Sequence, residues 1–439
     1  MDYTLIHYRV EEWERAAFDH ARRGLSESGW PVDDLTFDPD AFTLGLVFDL
    51  ELGNLAKATR FGYVVRAQHG STALSFDEQR AAYAETVIDL SDDRFDFMNT
   101  MFELSRAALF TQCVDLLDAG QLPGVRSYYE LYRQIDVALG RAHVEGELKA
   151  EILADPERFV EPDPEIVQTL LDQRLAGRQL LLITNSDWSY TRQIMMRAIE
   201  PFCPEGTSWR DLFDIVIVSA DKPRFFSDAK ALYQVVDEER SLLSPHSGVL
   251  EAGSVYFGGN ARVVESSLGL SSAQLLYVGD HLFGDVHVTK DLLRWRTALV
   301  ARELEGEIAA AGDFVEGQRT LQKLMEEKRQ LDRESAQLRM ERTRSRRSGD
   351  DLPREVSRRL EEINTTSRAL DEEIGPLARE SSRLGNATWG PLMRAGNDKS
   401  LFARQVERYA DVYMSRVSNL GRETPYAYLR AARGSLPHD

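Results

Sequence analysis

The chain has 439 residues, which is too long for one small core, so about two or three domains are expected. Its formal net charge of −19 argues against nucleic acid as a partner, because a phosphate backbone attracts basic surfaces. No stretch of about 18 or more apolar residues is present, so we expect no membrane-spanning helix. The two cysteines, Cys113 and Cys203, are too few for a disulfide framework and suit the reducing cytoplasm, where we expect this protein.

Residues 1–164 begin with a short Asp-x-Thr string, formed by Asp2 and Thr4, and then read as mainly helical. A hairpin-like piece lies around residues 44–69. The next apolar strand does not begin until residue 180, which is too far for an ordinary connection within a sheet. We therefore predict an inserted cap domain at 10–164, between core segments 1–9 and 165–313.

Short apolar runs alternate with helical segments between residues 165 and 313. These runs lie at 180–183, 213–218, 275–278 and 297–300. Strands that are apolar throughout are typical of a parallel sheet covered on both faces, so an α/β fold is predicted. Parallel sheets bind ligands at the carboxyl ends of their strands, which gathers the polar residues after these runs into one candidate site.

Residues 314–385 predict a helical hairpin with coiled-coil character. Apolar residues recur every seven positions, at Leu324, Leu331 and Leu338, then at Val356, Ile363, Leu370 and Leu377. Residues 348–353 have the composition of a turn followed by a helix start. Several facing positions are polar, which favours a hairpin leaning on the body over a long dimeric rod. Residues 386–439 are expected to form a helical segment that packs on the core.

The polar residues after the first two runs suit a phosphate group. Thr184 and the backbone N–H groups of Asn185 and Ser186 stand where a helix starts, a place that binds anions. Lys222 follows the second run and suits the neutralisation of a phosphate. Each feature alone has an ordinary explanation, a helix N-cap for the first and a loop lysine for the second.

Two acidic residues, Asp280 and Asp285, follow the third run across a glycine-bearing turn. Paired carboxylates of this kind suit a hard cation with oxygen ligands, for which we expect Mg²⁺. They are also compatible with ordinary loop carboxylates. What argues against coincidence is the order along the chain: Asp-x-Thr, strand-Thr, Lys, strand-Gly-Asp-x₄-Asp.

Taken in this order, the strings resemble the motifs of haloacid-dehalogenase (HAD) type phosphatases. Those enzymes carry Asp-x-Asp-x-Thr after the first strand of a Rossmann-like sheet, and the first Asp attacks phosphorus while the second acts as acid and base. Asp2 and Thr4 match the second half of that motif, and Met1 matches the position between the two aspartates. The resemblance implies a nucleophile directly before Met1, so the 439-residue chain as given is expected to be inactive.

The resemblance narrows to the cytosolic purine 5′-nucleotidase family, whose best-known members prefer IMP and GMP. It rests on residues 46–70 and on the strings MDYTLIHY, LLITNSDWSYT, ADKPRFF, LLYVGDHLFGD and LFARQVERYADVYMS. It implies a Rossmann-like core with a large, mainly helical cap, dependence on Mg²⁺, a nucleoside monophosphate substrate and a homo-oligomer. Asp2 is then the proton donor and, through its carbonyl, a metal ligand. The other roles implied are metal binding by Asp280, phosphate binding by Thr184, Asn185 and Ser186, and the phosphate-site lysine, Lys222.

The resemblance to this family is less complete in the residues that would recognise the substrate base. The string at 146–149 resembles the family's purine-reading segment, which makes Lys149 and His143 the expected base-side contacts. The Arg and Asp that the family has upstream do not align, because Asp136 and Gly140 occupy those positions here. IMP and GMP are therefore the leading expectation, and another nucleotide stays open.

Three interpretations of the chain start remain open. The first is a clipped start, because by resemblance the absent strand lies mid-sheet between the strands ending at Thr184 and Asp280. Without that strand, the backbone groups on one side of each neighbouring strand have no partner, and each such buried group costs about 1–3 kcal/mol. The second is a catalytically inactive nucleotide-binding or scaffold protein, which predicts a continuous sheet with another segment in that place. The third is a HAD phosphatase that acts on another small phosphomonoester.

Overall fold

The computed structural model describes residues 1–144, 146–348 and 354–429, without the side chains at positions 101 and 142–144. The chain divides into two compact units, Met1–Leu304 with Leu392–Asp439, and Glu305–Pro391. The turn predicted at 348–353 lies, beyond its first residue, outside the described residues. Among the helices that are described, none combines the length and apolarity needed to cross a membrane.

Helices and short strands alternate along the first unit. The strands are β1 (His7–Tyr8), β2 (Val47–Asp49), β3 (Asn54–Ala58), β4 (Val64–His69), β5 (Thr72–Ala73), β6 (Phe95–Phe97), β7 (Val160–Glu161), β8 (Leu181–Ile183), β9 (Ile215–Val218), β10 (Leu232–Asp237), β11 (Leu242–His246), β12 (Ser254–Gly258), β13 (Leu276–Gly279), β14 (Arg296–Val300), β15 (Arg394–Ala395), β16 (Asp398–Lys399) and β17 (Val412–Met414). The helices of the whole chain are α1 (Val10–Glu27), α2 (Phe76–Tyr83), α3 (Leu104–Asp118), α4 (Tyr128–Val144), α5 (Glu147–Ala154), α6 (Pro156–Phe159), α7 (Glu165–Leu175), α8 (Trp188–Ala198), α9 (Arg224–Ser227), α10 (Ala261–Leu268), α11 (Leu304–Asp313), α12 (Val315–Ser348), α13 (Arg354–Ser381) and α14 (Leu401–Tyr409).

Parallel strands form the centre of the first unit, which confirms the predicted α/β class. One sheet has the order β11-β10-β12-β9-β8, in which β12, β9 and β8 run parallel. A second sheet has the order β13-β14-β17 and is parallel throughout. All four residues of β9 are buried, as expected for an apolar strand covered on both faces. The four apolar runs in the sequence correspond to β8, β9, β13 and β14.

Strands β8 and β13 are edges of their respective sheets. Among the described strands, none pairs with the second side of either one. The loop of residues 1–6 nevertheless contacts the residues that follow both strands, which shows that the carboxyl ends of the two strands lie near each other. The two sheets therefore share one functional edge although they are not joined by hydrogen bonds.

Residues 10–164 contain more sheet than the sequence indicated. A five-stranded antiparallel sheet with the order β5-β4-β3-β2-β6 stands beside α1, α3 and α4. The predicted hairpin-like piece at 44–69 supplies β2, β3 and β4 of this sheet. Strands β5 and β6 have only two and three residues, too few for an alternating pattern to be visible in the sequence.

The second unit contains the long helices α12 and α13, which run antiparallel. Leu321 packs with Leu370 and Ile374 in a small apolar core. Farther along α12, Arg359 Nε and Nη2 donate to the two oxygens of the Glu334 carboxylate at 2.7 and 2.8 Å. The contact farther along α12 is made by a residue nearer the start of α13, so the two helices run antiparallel.

Helix α14 packs against the turn that carries one of the candidate acidic residues. Ser400 caps the helix by accepting a hydrogen bond from the Ala403 N–H at 3.1 Å. The apolar face of α14, with Leu401, Phe402 and Val406, belongs to the same buried cluster as Leu282 and Val286. This packing supports the π-helical turn Leu282–His287, which contains Asp285.

Candidate active site

The loop of residues 1–6 joins the two sheet edges. The Ser186 hydroxyl donates to Asp2 Oδ2 at 2.8 Å, and the Thr4 hydroxyl donates to Asp280 Oδ1 at 2.7 Å. The loop is tightly turned, with the Thr4 N–H donating to the Asp2 carbonyl at 2.7 Å and a left-handed Tyr3 at φ 54°. The structure thus brings together the residues after β8 and β13 with the Asp-x-Thr string, as the sequence order predicted.

The turn after β8 places hydroxyl and backbone donors at its surface. The Ser186 N–H donates to Thr184 Oγ1 at 3.2 Å, which leaves the Thr184 hydroxyl hydrogen for another acceptor. The helix N-cap given as the ordinary explanation of this string is present, and its last residue, Asp187, provides it by accepting from the Tyr190 N–H at 2.9 Å. Thr184 and Ser186 are both buried, so the donors of this turn lie inside the protein.

Asn185 fixes the loop that carries the candidate lysine. Its Oδ1 accepts from the Lys222 N–H at 2.6 Å, and its Nδ2 donates to the Lys222 carbonyl at 3.1 Å. This two-bond clamp ties the residue after β8 to the residue after β9. The side chain of Asn185 therefore positions Lys222, which leaves the backbone N–H of Asn185 as the group that suits a phosphate.

Lys222 and Asp285 form a buried ion pair. Nζ lies 2.8 Å from Asp285 Oδ1, and the Tyr277 hydroxyl donates to the same oxygen at 3.2 Å. Burial alone would lower the pKa of Lys222, but the Asp285 carboxylate and Tyr277 raise it well above its ordinary value. Burial would likewise raise the pKa of Asp285, and the charges of Lys222 and His281 outweigh it and hold that pKa below its ordinary value. Both groups are therefore charged at neutral pH.

Asp280 is the carboxylate best placed for a cation. Burial and the neighbouring Asp285 charge raise the pKa of Asp280 to about 6, and a divalent cation would relieve this excess of negative charge. Asp285 is already engaged by Lys222, so its prediction as a metal ligand stays a prediction. Among the described residues, no group of three or more His, Cys, Asp or Glu side chains forms a metal cage. Mg²⁺ commonly binds through one or two carboxylates with water and substrate phosphate, so the donor set fits it.

Gly279, which precedes Asp280, is required by a close approach. A Cβ atom at this position would lie 2.5 Å from Asp285 Oδ2. A side chain here would therefore displace the carboxylate that pairs with Lys222. The His281 ring then caps the following turn by accepting from the Gly284 N–H at 2.8 Å.

Two tyrosines that the sequence did not single out extend from the candidate proton donor, Tyr8 in contact with Asp2 and Tyr190 in contact with Tyr8. The Tyr8 hydroxyl donates to Asp2 Oδ1 at 2.6 Å and lies 2.9 Å from the Tyr190 hydroxyl. Burial and the Asp2 charge raise the pKa of Tyr8 well above its ordinary value, which keeps the phenol protonated. Tyr8 lies in the quoted string MDYTLIHY, but no spacing rule distinguishes a tyrosine that contacts Asp2 from one that fills the core.

The predicted base-side contacts are only partly described. Lys149 Nζ lies 4.9 Å from the ring centre of Tyr190 and 3.8 Å from Asp187 Oδ2, beside the turn after β8. The side chain of His143 lies outside the described residues. Asp136, at the position where the resembling family has an arginine, pairs with Arg106 at 2.9 Å.

Carboxylate, hydroxyl and lysine groups gathered at the carboxyl ends of parallel strands are an arrangement that suits a phosphate-ester hydrolase of α/β fold. The 5′ nucleotidase family matches residues 1–439, and the chain belongs to that family. A 5′-nucleotidase domain-containing protein of Dictyostelium discoideum is 24% identical over 454 residues, covering 100% of this chain and 71% of that protein. 5′-nucleotidase domain-containing protein 2 of Rattus norvegicus is 28% identical over 439 residues, covering 95% and 73%. Family membership supports a phosphomonoesterase that acts on nucleotides.

Proposed function

We propose that this protein is a Mg²⁺-dependent HAD-type 5′-nucleotidase that hydrolyses purine nucleoside 5′-monophosphates, with IMP and GMP as first candidates. The observation that carries the proposal is the position of Asp2. Its carboxylate is held by Ser186 on one side and Tyr8 on the other, at the point where the residues after β8 and β13 converge. Reaction through an aspartyl-phosphate, a cytoplasmic location and a homo-oligomer belong to the same proposal.

The nucleophile is proposed to be an aspartate directly ahead of Met1, at the end of a strand that pairs with both β8 and β13. The support is the pair of sheet edges, because β8 and β13 are parallel-sheet strands whose carboxyl ends are bridged by residues 1–6. An inactive scaffold would predict a continuous sheet, and no described strand joins these two edges. The main-chain groups of such edges gain about 0.5–1.5 kcal/mol for each hydrogen bond that a partner strand supplies.

In the first half of the proposed reaction, the nucleophile attacks phosphorus and the bond from phosphorus to the nucleoside O5′ breaks. Asp2 gives its proton to that oxygen as it leaves, so the nucleoside departs as a neutral alcohol. In the second half, Asp2 takes a proton from water while the water oxygen attacks the aspartyl-phosphate. Inorganic phosphate is released and both carboxylates return to their starting forms.

The chain supplies phosphate donors and a charge to this reaction. The Thr184 hydroxyl and the Asn185 N–H are the donors for the phosphoryl oxygens, since the Ser186 N–H already bonds Thr184 Oγ1. Lys222 adds a fixed positive charge, held by Asp285 and by the Asn185 clamp. Mg²⁺ would be held by Asp280 and the carbonyl of Asp2. When bound, it would neutralise charge on the phosphoryl oxygens.

Substrate choice is proposed to depend on Lys149, which stands beside the turn after β8. Asp136 cannot replace an arginine as a donor to a purine, and it is already paired with Arg106. We therefore expect a broader or altered base preference compared with IMP- and GMP-selective relatives.

The first experiment compares two proteins, the 439-residue chain and the same chain with the residues encoded ahead of Met1. Phosphate release is measured with a panel of 5′-nucleotides, sugar phosphates and phosphoglycolate, with Mg²⁺ and with EDTA. The proposal predicts activity on a nucleotide only in the longer protein and only with Mg²⁺. Activity in the 439-residue chain would contradict the assigned nucleophile, and preference for a sugar phosphate would contradict the assigned substrate.

A further inference from the structure

Tyr8 and Tyr190 form a buried hydrogen-bond chain that ends on Asp2. Tyr8 lies in β1 and is 1% exposed, while Tyr190 lies in α8 and is 3% exposed. The two hydroxyl oxygens are 2.9 Å apart, and Tyr8 Oη is 2.6 Å from Asp2 Oδ1. The second Asp2 oxygen, Oδ2, is contacted by Ser186 at 2.8 Å.

The chemistry of the phenol fixes the direction of this chain. The Tyr8 hydroxyl donates its single hydrogen to Asp2 Oδ1. Tyr8 then has no hydrogen left for Tyr190, so Tyr190 donates to Tyr8. Each hydroxyl hydrogen is thereby assigned, and Oδ1 of Asp2 faces a donor.

The two oxygens of Asp2 are consequently not equivalent. Oδ1 is directed into the protein by the tyrosine pair, whereas Oδ2 lies beside Ser186 in the turn that carries Thr184. A proton on Oδ1 would conflict with the Tyr8 hydrogen, but a proton on Oδ2 leaves both tyrosine hydrogen bonds intact. The hydroxyl of Ser186 can accept as well as donate, so it tolerates either state of Oδ2.

We propose that Tyr8 and Tyr190 are positioning residues that hold Asp2 so that Oδ2 alone exchanges the proton with the nucleoside oxygen and then with water. This inference rests on the proposed function, in which Asp2 is the acid and base. In the first half the Oδ2–H bond breaks as the bond from hydrogen to O5′ forms. In the second half a water O–H bond breaks as Oδ2–H forms again.

Phenylalanine variants separate the hydroxyl groups from the packing of the rings. Tyr8 packs against Trp13, with ring centres 4.3 Å apart, and Tyr8→Phe keeps that contact. Tyr83→Phe is the matched control, because the Tyr83 hydroxyl also links two buried polar groups, Asp49 and Asn54, at 2.9 Å each. Tyr83 lies in helix α2, and among the described residues its hydroxyl bonds Asp49 and Asn54, neither of which is a candidate site residue.

The test uses the form of the protein that hydrolyses nucleotides, with kcat and KM measured for the best nucleotide and for p-nitrophenyl phosphate. Tyr8→Phe should lower kcat for the nucleotide about 10- to 100-fold with KM within about twofold, because a misplaced acid slows proton transfer without weakening binding. The loss should be smaller for p-nitrophenyl phosphate, whose leaving group needs little protonation. Tyr190→Phe should lower nucleotide kcat less than Tyr8→Phe does, and Tyr83→Phe should leave it unchanged.

The outcomes separate this inference from the proposed function. An active wild type whose Tyr8→Phe variant keeps its kcat would overturn the positioning role alone. So would equal losses on both substrates, or a rise in KM at constant kcat, either of which would indicate a structural role. A wild type with no activity on any nucleotide would overturn the proposed function and the positioning role together.

Discussion

Replacing Lys222 with methionine tests the electrostatics of the site through stability. The Lys222 and Asp285 side chains are only 13% and 4% exposed, and their charged atoms are 2.8 Å apart. With an effective dielectric constant of about 20, their attraction is about 6 kcal/mol. Removing one partner of such a pair typically costs about 3–5 kcal/mol, because the other charge is left buried. We expect Lys222→Met to lower the free energy of unfolding by that amount at pH 8.

The pH dependence of this loss has a definite sign. Because the pKa of Asp285 is held below its ordinary 3.8, the pair stabilises the wild type above pH 4 and loses its effect only in stronger acid. In Lys222→Met, burial without the ammonium group raises the pKa of Asp285, so protonation relieves the penalty as the pH falls. The deficit should therefore be smaller at pH 5 than at pH 8.

Urea unfolding followed by tryptophan fluorescence measures these differences. The double variant Lys222→Met with Asp285→Asn is the control, since it removes both charges and should recover much of the stability lost by the single variant. A single-variant loss below about 1 kcal/mol at pH 8, or a loss independent of pH, would refute the buried-pair account.

Three further predictions concern other parts of the molecule. Burial raises the pKa of Glu14 from 4.5 to about 7, so Glu14 lowers stability as the pH rises from 4.5 through 7. Between pH 5 and pH 8, the free energy of unfolding of Glu14→Gln should therefore fall by about 2–3 kcal/mol less than that of the wild type. An equal dependence on pH for the two proteins, measured by urea unfolding, would contradict this. Asp280→Asn should abolish Mg²⁺ binding in calorimetric titration, with the more exposed Asp291→Asn as control; unchanged Mg²⁺ affinity in Asp280→Asn would remove Asp280 from the metal site. Leu370→Ala, in the buried core of the helical hairpin, should lower the free energy of unfolding of the hairpin by about 2–4 kcal/mol. A thermal unfolding curve, followed by circular dichroism, that is the same as that of the wild type would contradict this packing.

The strands that are apolar on both faces were the predictable part of the fold. Runs 180–183 and 297–300 differ from β8 and β14 by one residue. Four of the five residues of β14 are buried, and the edge strand β8 is half-buried to buried, so both leave a continuous apolar signal. Strands β10 and β11 gave no such signal, since they run antiparallel near the sheet edge and are partly exposed. For the antiparallel sheet of residues 10–164, the sequence indicated only a hairpin-like piece, because its outer strands β5 and β6 are very short.

The site was predictable to the extent that topology alone positions residues. Thr184 and Asp280 each follow an apolar strand, so their position at strand ends was predictable from the sequence, whereas the loop of residues 1–6 that links the two ends was not. The contacts between side chains did not follow. Asn185 clamps Lys222 through hydrogen bonds that depend on the conformation of two loops. Tyr8 reaches Asp2 only because the chain turns back at Tyr3.

Phosphate release by the Asp2→Asn variant tests the central claim most directly. The protein carrying the proposed strand and aspartate ahead of Met1 is given IMP and Mg²⁺, and inorganic phosphate is measured for the wild type and the variant at equal concentration. We expect sustained release by the wild type and a loss of about 100-fold or more in Asp2→Asn, because the acid and base of both half-reactions is removed. Equal rates in the two proteins would contradict it.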